Sequence, residues 1–177
     1  IPNMRIIAPC DPLELEDAVN FCCKNKTSPI YLRIGKSGEK NYTSNSKEKW
    51  TFGKIRKILD GNKLCILTYG PIIKLAFEVK YKIKKNISIY SCHTLKPFDE
   101  KRVKNIMKKY KKILILEDHS KIGGLSEMIL AEGYKNKYNG KIISFSLKDE
   151  FINCYGSQLD LQEKHGISVS KIIKALK

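Results

Sequence analysis

The sequence is poor in arginine. Among 177 residues 34 are basic and 18 acidic, a formal net charge of +16, yet only Arg5, Arg33, Arg56 and Arg102 are arginines and the other 30 are lysines. Nucleic-acid surfaces usually set arginine forks beside lysine, with aromatic side chains for stacking. Here the excess is lysine, accompanied by abundant isoleucine and asparagine, which reads as compositional bias on solvated faces. Nucleic acid is therefore disfavoured as a partner. No apolar run approaches the roughly 18–20 residues that span a bilayer, so no membrane helix is expected. The six cysteines (Cys10, Cys22, Cys23, Cys65, Cys92, Cys154) form no CxxC pair and no metal-ligand spacing with His93, His119 or His165, which argues against a zinc site. A reduced, cytoplasmic compartment suits such cysteine usage. A Gly-rich phosphate loop is also missing, since Gly35-Lys36-Ser37 lacks the earlier glycine and spacing. No basic-then-apolar stretch precedes the first strand-like segment, so no secretory leader is expected. The chain opens at Ile1 directly on structure, and it is expected to be a piece of something longer.

What is present suffices for a packed core: 42% of residues are hydrophobic and 9% aromatic. Met4 to Ala8 is a short β-prone run. Asp11-Pro12 then supplies an N-cap carboxylate and a first-position proline for a helix reaching about Lys24, with Leu13, Ala18, Val19 and Cys22 as its apolar face. Ile30 to Ile34 is the next strand, stopped by Gly35. Strand, helix, strand makes one βαβ unit, which implies parallel pairing. Lys36 to Ser46 is polar and reads as a linker, so the chain is expected to divide into residues 1–36, a linker over 37–52, and a larger domain over 53–177.

In that larger domain the pattern predicts a short strand or hairpin arm over Thr51 to Leu59, turning at Asp60-Gly61. Strands follow at Leu64 to Tyr69, Ile87 to Ser91, Ile113 to Leu116 and Ile142 to Phe145. Helices are predicted at Ile72 to Lys85, Glu100 to Tyr110, Leu125 to about Tyr138, Ser157 to His165 and Ser168 to Leu176. Strands alternating with helices of this length specify an α/β fold with a mostly parallel sheet. Ile113 to Leu116 is apolar throughout, as in a strand covered on both faces.

In open α/β sheets ligands gather at the carboxyl ends of the strands, and three groups fall there. Glu117-Asp118-His119-Ser120 precedes Gly123-Gly124; it offers acid/base chemistry or an anion site, or else Asp118 or Ser120 caps loop amides and His119 meets a backbone carbonyl. Cys92-His93 are neighbours at a strand end, where adjacent side chains point to opposite faces, so no thiolate–imidazole pair is expected. Arg33, with Lys36, is a phosphate ligand or a surface ion-pair partner.

Several segments together resemble one family. Ile7-Ala8-Pro9-Cys10-Asp11-Pro12 and Pro29-Ile30-Tyr31-Leu32-Arg33-Ile34-Gly35-Lys36 are similar to the end of the pyrimidine-binding domain of transketolase-like, thiamine-diphosphate enzymes. Leu67-Thr68-Tyr69-Gly70, Thr94-Leu95-Lys96-Pro97-Phe98-Asp99, Leu116-Glu117-Asp118-His119 with Ile122-Gly123-Gly124-Leu125-Ser126-Glu127, and Tyr155-Gly156 with Gly166-Ile167-Ser168 resemble successive motifs of the family's C-terminal domain. The order of motifs resembles the C-terminal section of a split transketolase, and the pattern is shared with deoxyxylulose-phosphate synthase and the beta subunit of pyruvate dehydrogenase.

The resemblance implies the last βαβ unit of a pyrimidine-binding domain followed by a transketolase C-terminal-domain fold. The implied activity is transfer of a two-carbon ketol unit between sugar phosphates, with thiamine diphosphate and a divalent metal (Mg) in the complete enzyme. It also implies a homodimer completed by the missing N-terminal and pyrimidine domains or a separate subunit. The family's glycine-aspartate-glycine motif and its cofactor-activating glutamate are not in this sequence. No catalytic, cofactor-binding or metal residue is thus expected here, and the fragment alone is expected to be inactive and to support dimerisation. Arg33 matches a position that contacts substrate phosphate in some members, although no glutamine follows it. Asp118 and His119 would lie in a loop at the interface or site. The other readings are the corresponding part of deoxyxylulose-phosphate synthase or of a pyruvate dehydrogenase beta subunit, and a non-catalytic basic interaction module.

Overall fold

The computed structural model describes residues 1–36, 38–83 and 86–176. The elements run β1 (Arg5–Ile7), α1 (Pro12–Lys24), β2 (Ile30–Leu32), β3 (Arg56–Leu59), β4 (Leu64–Thr68), α2 (Ile73–Ile83), β5 (Ile87–Ser91), β6 (Thr94–Lys96), α3 (Glu100–Lys109), β7 (Lys112–Ser120), α4 (Leu125–Lys135), β8 (Lys141–Leu147), α5 (Gln158–Lys164) and α6 (Val169–Leu176). The α/β fold with a mostly parallel sheet is the one that forms. Its main sheet has the order β3-β5-β4-β7-β8; β4 pairs in parallel with β5 and β7, and β7 with β8, while β3 alone runs antiparallel, against β5.

Every residue of β4 is buried, and the period-two alternation of a strand sorts its side chains into two cores. Leu64 and Ile66, with Leu114 and Leu116 of β7, face the side covered by α2 and α6. Cys65 and Leu67, with Ile113 and Ile115, face α3 and α4, where Val103, Ile106, Leu125 and Ile129 close the layer. Helices on both faces explain why these strands read as continuous apolar runs.

The N-terminal unit forms as its caps dictate. Asp11 Oδ1 accepts from the Glu14 N–H at 2.9 Å and Pro12 opens α1; β1 and β2 pair in parallel. The face that α1 buries differs from the apolar pattern, however: Glu14 and Ala18 are buried while Val19 is exposed. Partners make that possible, since Glu14 Oε2 accepts from Ser91 Oγ at 2.8 Å and from the Cys10 N–H at 3.2 Å, with Arg56 Nη1 3.5 Å from Oε1. Tyr42 and Thr43 of the polar segment are fastened in the same way. Asp11 Oδ2 accepts from the N–H groups of Tyr42 (2.8 Å) and Thr43 (2.7 Å).

Two further departures concern pairing. Thr94–Lys96 forms a strand the sequence pattern does not signal, and it pairs antiparallel with β1, making a second sheet of order β2-β1-β6. The chain bends at Asn62-Lys63, just past the expected Asp60-Gly61, and β3 is no hairpin arm with β4: its partner is β5, two strands on. The connection passes so close to β5 that a Cβ on Gly61 would lie 2.4 Å from the Ile87 carbonyl carbon. The predicted ends of the second helix at Lys84 and Lys85, and Ser37 of the polar segment, lie outside the described residues.

Candidate functional site

The carboxyl ends of β1, β2, β4 and β7 converge. Ala8 donates its N–H to the His93 carbonyl (2.7 Å) and accepts from the Gly70 N–H (3.2 Å), which fixes the smaller sheet against the end of β4. Gly70 has φ +70, a left-handed conformation that glycine adopts without strain, and it turns the chain away there. Arg33 continues the pairing of β2 through its N–H to the Ile7 carbonyl (2.8 Å). Its side chain crosses to the end of β7: Nη2 donates to the Asp118 carbonyl at 2.8 Å and stands 4.0 Å from Asp118 Oδ2, while its Cζ lies 5.8 Å from the Tyr69 ring centre. The two candidate groups, Arg33 and Asp118-His119, are thus brought together.

β7 is longer than its apolar stretch, because Glu117, Asp118 and His119 extend it to Ser120. Alternation sends Glu117 inward, where it is fully buried. Its Oε2 accepts from the Leu125 N–H (2.7 Å) and its Oε1 from the Ser126 N–H (3.1 Å) and the Ser126 hydroxyl. Gly124, at the N-cap, has no side chain to satisfy those amides, so Glu117 caps α4 from the neighbouring strand. A Cβ on Gly124 would lie 2.3 Å from Glu117 Oε2 and 2.7 Å from the Ser120 carbonyl oxygen, so the glycine admits the carboxylate. Asp118 accepts at Oδ2 from Gln158 Nε2 (2.7 Å). His119 is exposed, its Nδ1 2.8 Å from the Ser120 carbonyl.

These groups border a cavity of about 570 Å3, whose walls include Tyr31, Arg33, Tyr69, Lys96, Phe98 and His119. Burial, and next the nearby Glu117, raise the Tyr69 hydroxyl well above its ordinary value of 10, so it stays a neutral donor. Cations and aromatic faces around an apolar floor suit an anionic ligand. Lys36 is elsewhere, beside a smaller hollow with Pro9, Cys10 and Pro71.

Cys92 and His93 turn apart. Cys92 packs in the core with Tyr69 and Tyr90, and burial raises its thiol far above the ordinary range, which leaves it protonated and unreactive. The His93 ring stacks on Trp50 with centroids 4.9 Å apart and Nδ1 3.0 Å from Thr94 Oγ1. Among the described residues no group of three or more His, Cys, Asp or Glu side chains is placed to hold a metal ion.

The sequence names Glu117 among the candidates but not its role. Its inward position follows from counting in twos from Ile113 and Ile115, which marks it as a buried carboxylate needing donors. Gln158 has no local signal, because its partner lies 40 residues away.

Residues 53–172 match the family model described as transketolase, C-terminal domain. The chain belongs to the transketolase family. Relatives of that family include the 1-deoxy-D-xylulose-5-phosphate synthase of Clostridium tetani, 30% identical over 177 residues, which cover 98% of this chain and 28% of the relative. An uncharacterized transketolase family protein of Sinorhizobium fredii is 26% identical over 182 residues, covering 100% of this chain and 52% of the relative. Among solved structures, a split-gene transketolase described as an inactive beta4 tetramer superposes with a TM-score of 0.85 at 21% identity, over 99% of this chain and 57% of that one. The transketolase of Campylobacter jejuni gives 0.63 at 16%, over 99% of this chain and 26% of its own. These structures share the fold of the transketolase C-terminal domain. The chain spans about 28% of the length of the Clostridium tetani synthase that it matches.

Proposed function

We propose that this chain is the C-terminal part of a thiamine-diphosphate-dependent transferase that moves a two-carbon ketol unit between sugar phosphates, and that Arg33 holds the substrate phosphate. The observation that carries this reading is the setting of Arg33. Its guanidinium is held at a strand end by one carbonyl, lies against Tyr69, and opens on the 570 Å3 cavity beside Lys96 and His119. A guanidinium matches phosphate oxygens with two parallel N–H donors.

Residues 1–36 then close a pyrimidine-binding domain, 37–52 connect, and 53–177 form the C-terminal domain. The family match beginning at residue 53 and the βαβ pairing of β1 and β2 support that division. The residues of this chain do not fit thiamine diphosphate or its metal: the glycine-aspartate-glycine motif is not in the sequence, and the described residues offer no cluster of metal ligands. Cofactor and metal belong to the rest of the enzyme, and the chain alone is inactive. It works as a homodimer with its missing domains or subunit, in a reducing cytoplasm where its six free cysteines persist as thiols. No helix among the described residues is long and apolar enough to cross a membrane.

A second reading, synthesis of deoxyxylulose phosphate, is favoured by the 30% identity to the Clostridium tetani synthase; it retains a phosphate for Arg33. The test is a pair of assays on the complete enzyme, with thiamine diphosphate and Mg2+: ketol transfer from a ketose phosphate to an aldose phosphate, and formation of deoxyxylulose phosphate. Ketol transfer is expected, and its absence beside deoxyxylulose-phosphate formation would select the second reading. In the active assay, Arg33→Ala should raise KM for the phosphorylated acceptor by on the order of tenfold to a hundredfold, the worth of a lost charge-assisted contact. An unchanged KM would remove Arg33 from the site.

A further inference from the structure

We infer that Gln158 is a positioning residue for Arg33, acting through the carboxylate of Asp118. The inference rests on the reading of Arg33 given above. A carboxylate beside an arginine ordinarily takes its fork in two short, parallel hydrogen bonds, about 2.7–2.9 Å each. An arginine so engaged is neutralised, and the donors a phosphate would use are occupied. Asp118 stands next to Arg33 and does not do this: the nearest approach of its carboxylate is 4.0 Å, and the guanidinium is held by the Asp118 main-chain carbonyl at 2.8 Å.

The reason lies on the other side of Asp118. Gln158 Nε2 donates to Asp118 Oδ2 at 2.7 Å and draws that oxygen towards α5. Gln158 is itself fixed, because it is the first residue of α5 behind a reciprocal capping box, in which Ser157 Oγ accepts from the Asp160 N–H and Asp160 Oδ2 from the Ser157 N–H. The amide of Gln158 carries no charge, so it orients the carboxylate without neutralising it, and the carboxylate continues to favour the cationic side chain at a distance. Among the described residues, Arg33 Nε and Nη1 donate to no protein acceptor, and the side chain lines the cavity. The arrangement presents a guanidinium fixed in place by one nitrogen, with its remaining donors available to an anion.

If Gln158 is removed, the freed Asp118 carboxylate can swing onto Arg33 and close the fork. In the complete enzyme with thiamine diphosphate and Mg2+, Gln158→Ala is expected to raise KM for an aldose phosphate about tenfold while leaving kcat at saturation within about twofold. KM for the unphosphorylated aldose should not move. The decisive variant is Gln158→Ala with Asp118→Asn, in which the released side chain is neutral and cannot pair with Arg33; KM for the phosphorylated acceptor should return to within about twofold of the parent. A loss in Gln158→Ala that Asp118→Asn fails to rescue, or one that lowers kcat and raises both KM values together, would make Gln158 a structural residue and overturn the inference. If Arg33→Ala raises KM for the aldose phosphate and Gln158→Ala does not, the inference fails while the reading of Arg33 stands. If Arg33→Ala itself changes nothing, both fall.

Discussion

His93 shows how one buried side chain sets a pH limit for the whole fold. Its ring is buried against Trp50, Nδ1 meets Thr94 Oγ1, and Nε2 is a buried atom without a partner among the described residues. Burial first, and then the positive charge of Arg56, push its pKa from 6.5 down to about 3. An unfolded chain takes up the proton near pH 6.5, whereas the folded one resists until about pH 3. The unfolded state therefore binds more protons across that window. The contribution of neutral His93 is complete above pH 6.5 and is lost as the pH falls, at up to about 1.4 kcal/mol per pH unit. Glu14 runs the other way. Burial raises its carboxyl from 4.5, so its contribution is present below that value and is lost as the pH rises through the raised one. The measurement is urea unfolding between pH 4 and pH 7 for the parent and for His93→Gln, and the quantity to compare is the difference in slope. The variant should lack the acid limb. Parallel curves would mean that His93 takes up its proton in the folded protein as readily as in the unfolded chain.

The capping of α4 is an arrangement in which a strand completes a helix. Glu117 belongs to β7, yet it satisfies two main-chain N–H groups and one hydroxyl at the start of α4. Glu117→Ala leaves all three buried and unpaired, and the protein should lose about 2–4 kcal/mol, read as a lower urea midpoint with an unchanged slope. Glu117→Gln fills the same space and retains one acceptor oxygen, so it should lose less; equal losses would mean that the cap needs both carboxylate oxygens. Elements governed by local chemistry were readable from sequence in just this way. The Asp11-Pro12 start of α1, the Asp99 start of α3 and the doubly apolar β4 and β7 all follow from caps and alternation. Elements governed by distant partners were not. Thr94–Lys96 is a strand because β1 lies beside it, β3 finds β5 across an intervening strand in sequence, and α1 buries Glu14 in place of Val19 because Ser91 and Arg56 wait there. The candidate residues divide along the same line. Arg33 and Asp118 could be picked out by their strand-end positions, but that Arg33 and Gln158 both meet Asp118 depends on how three separate elements close together.

The charge of the whole molecule bears on the remaining reading, a basic module that binds a polyanion. A net charge of +16 raises the local concentration of any anion, but specificity would require arginine forks free to read phosphates or base edges. Three of the four arginines are engaged by protein partners, and the free donors of the fourth, Arg33, open on the cavity and not on an open surface that a polyanion could follow. Arg5 stacks on Phe21 and Phe52 and bonds Asn25; Arg56 reaches Glu14 and the Glu48 carbonyl; Arg102 pairs with Glu48 at 2.6 Å and lies over Tyr90; and Arg33 is turned onto Asp118 at the cavity. What faces solvent is lysine, a strongly hydrated point charge on a flexible stem. Such a surface attracts a polyanion only through counterion release, an interaction without sequence preference that weakens steeply with salt. Retention on heparin and on duplex DNA of unrelated sequences should be detectable at about 20 mM salt, indistinguishable among the duplexes, and lost by about 150 mM, where screening extends to roughly 8 Å. Binding to one nucleic acid that survives at that salt would require a recognition surface these arginines do not provide, and it would turn the charge from a by-product of composition into the function of the domain.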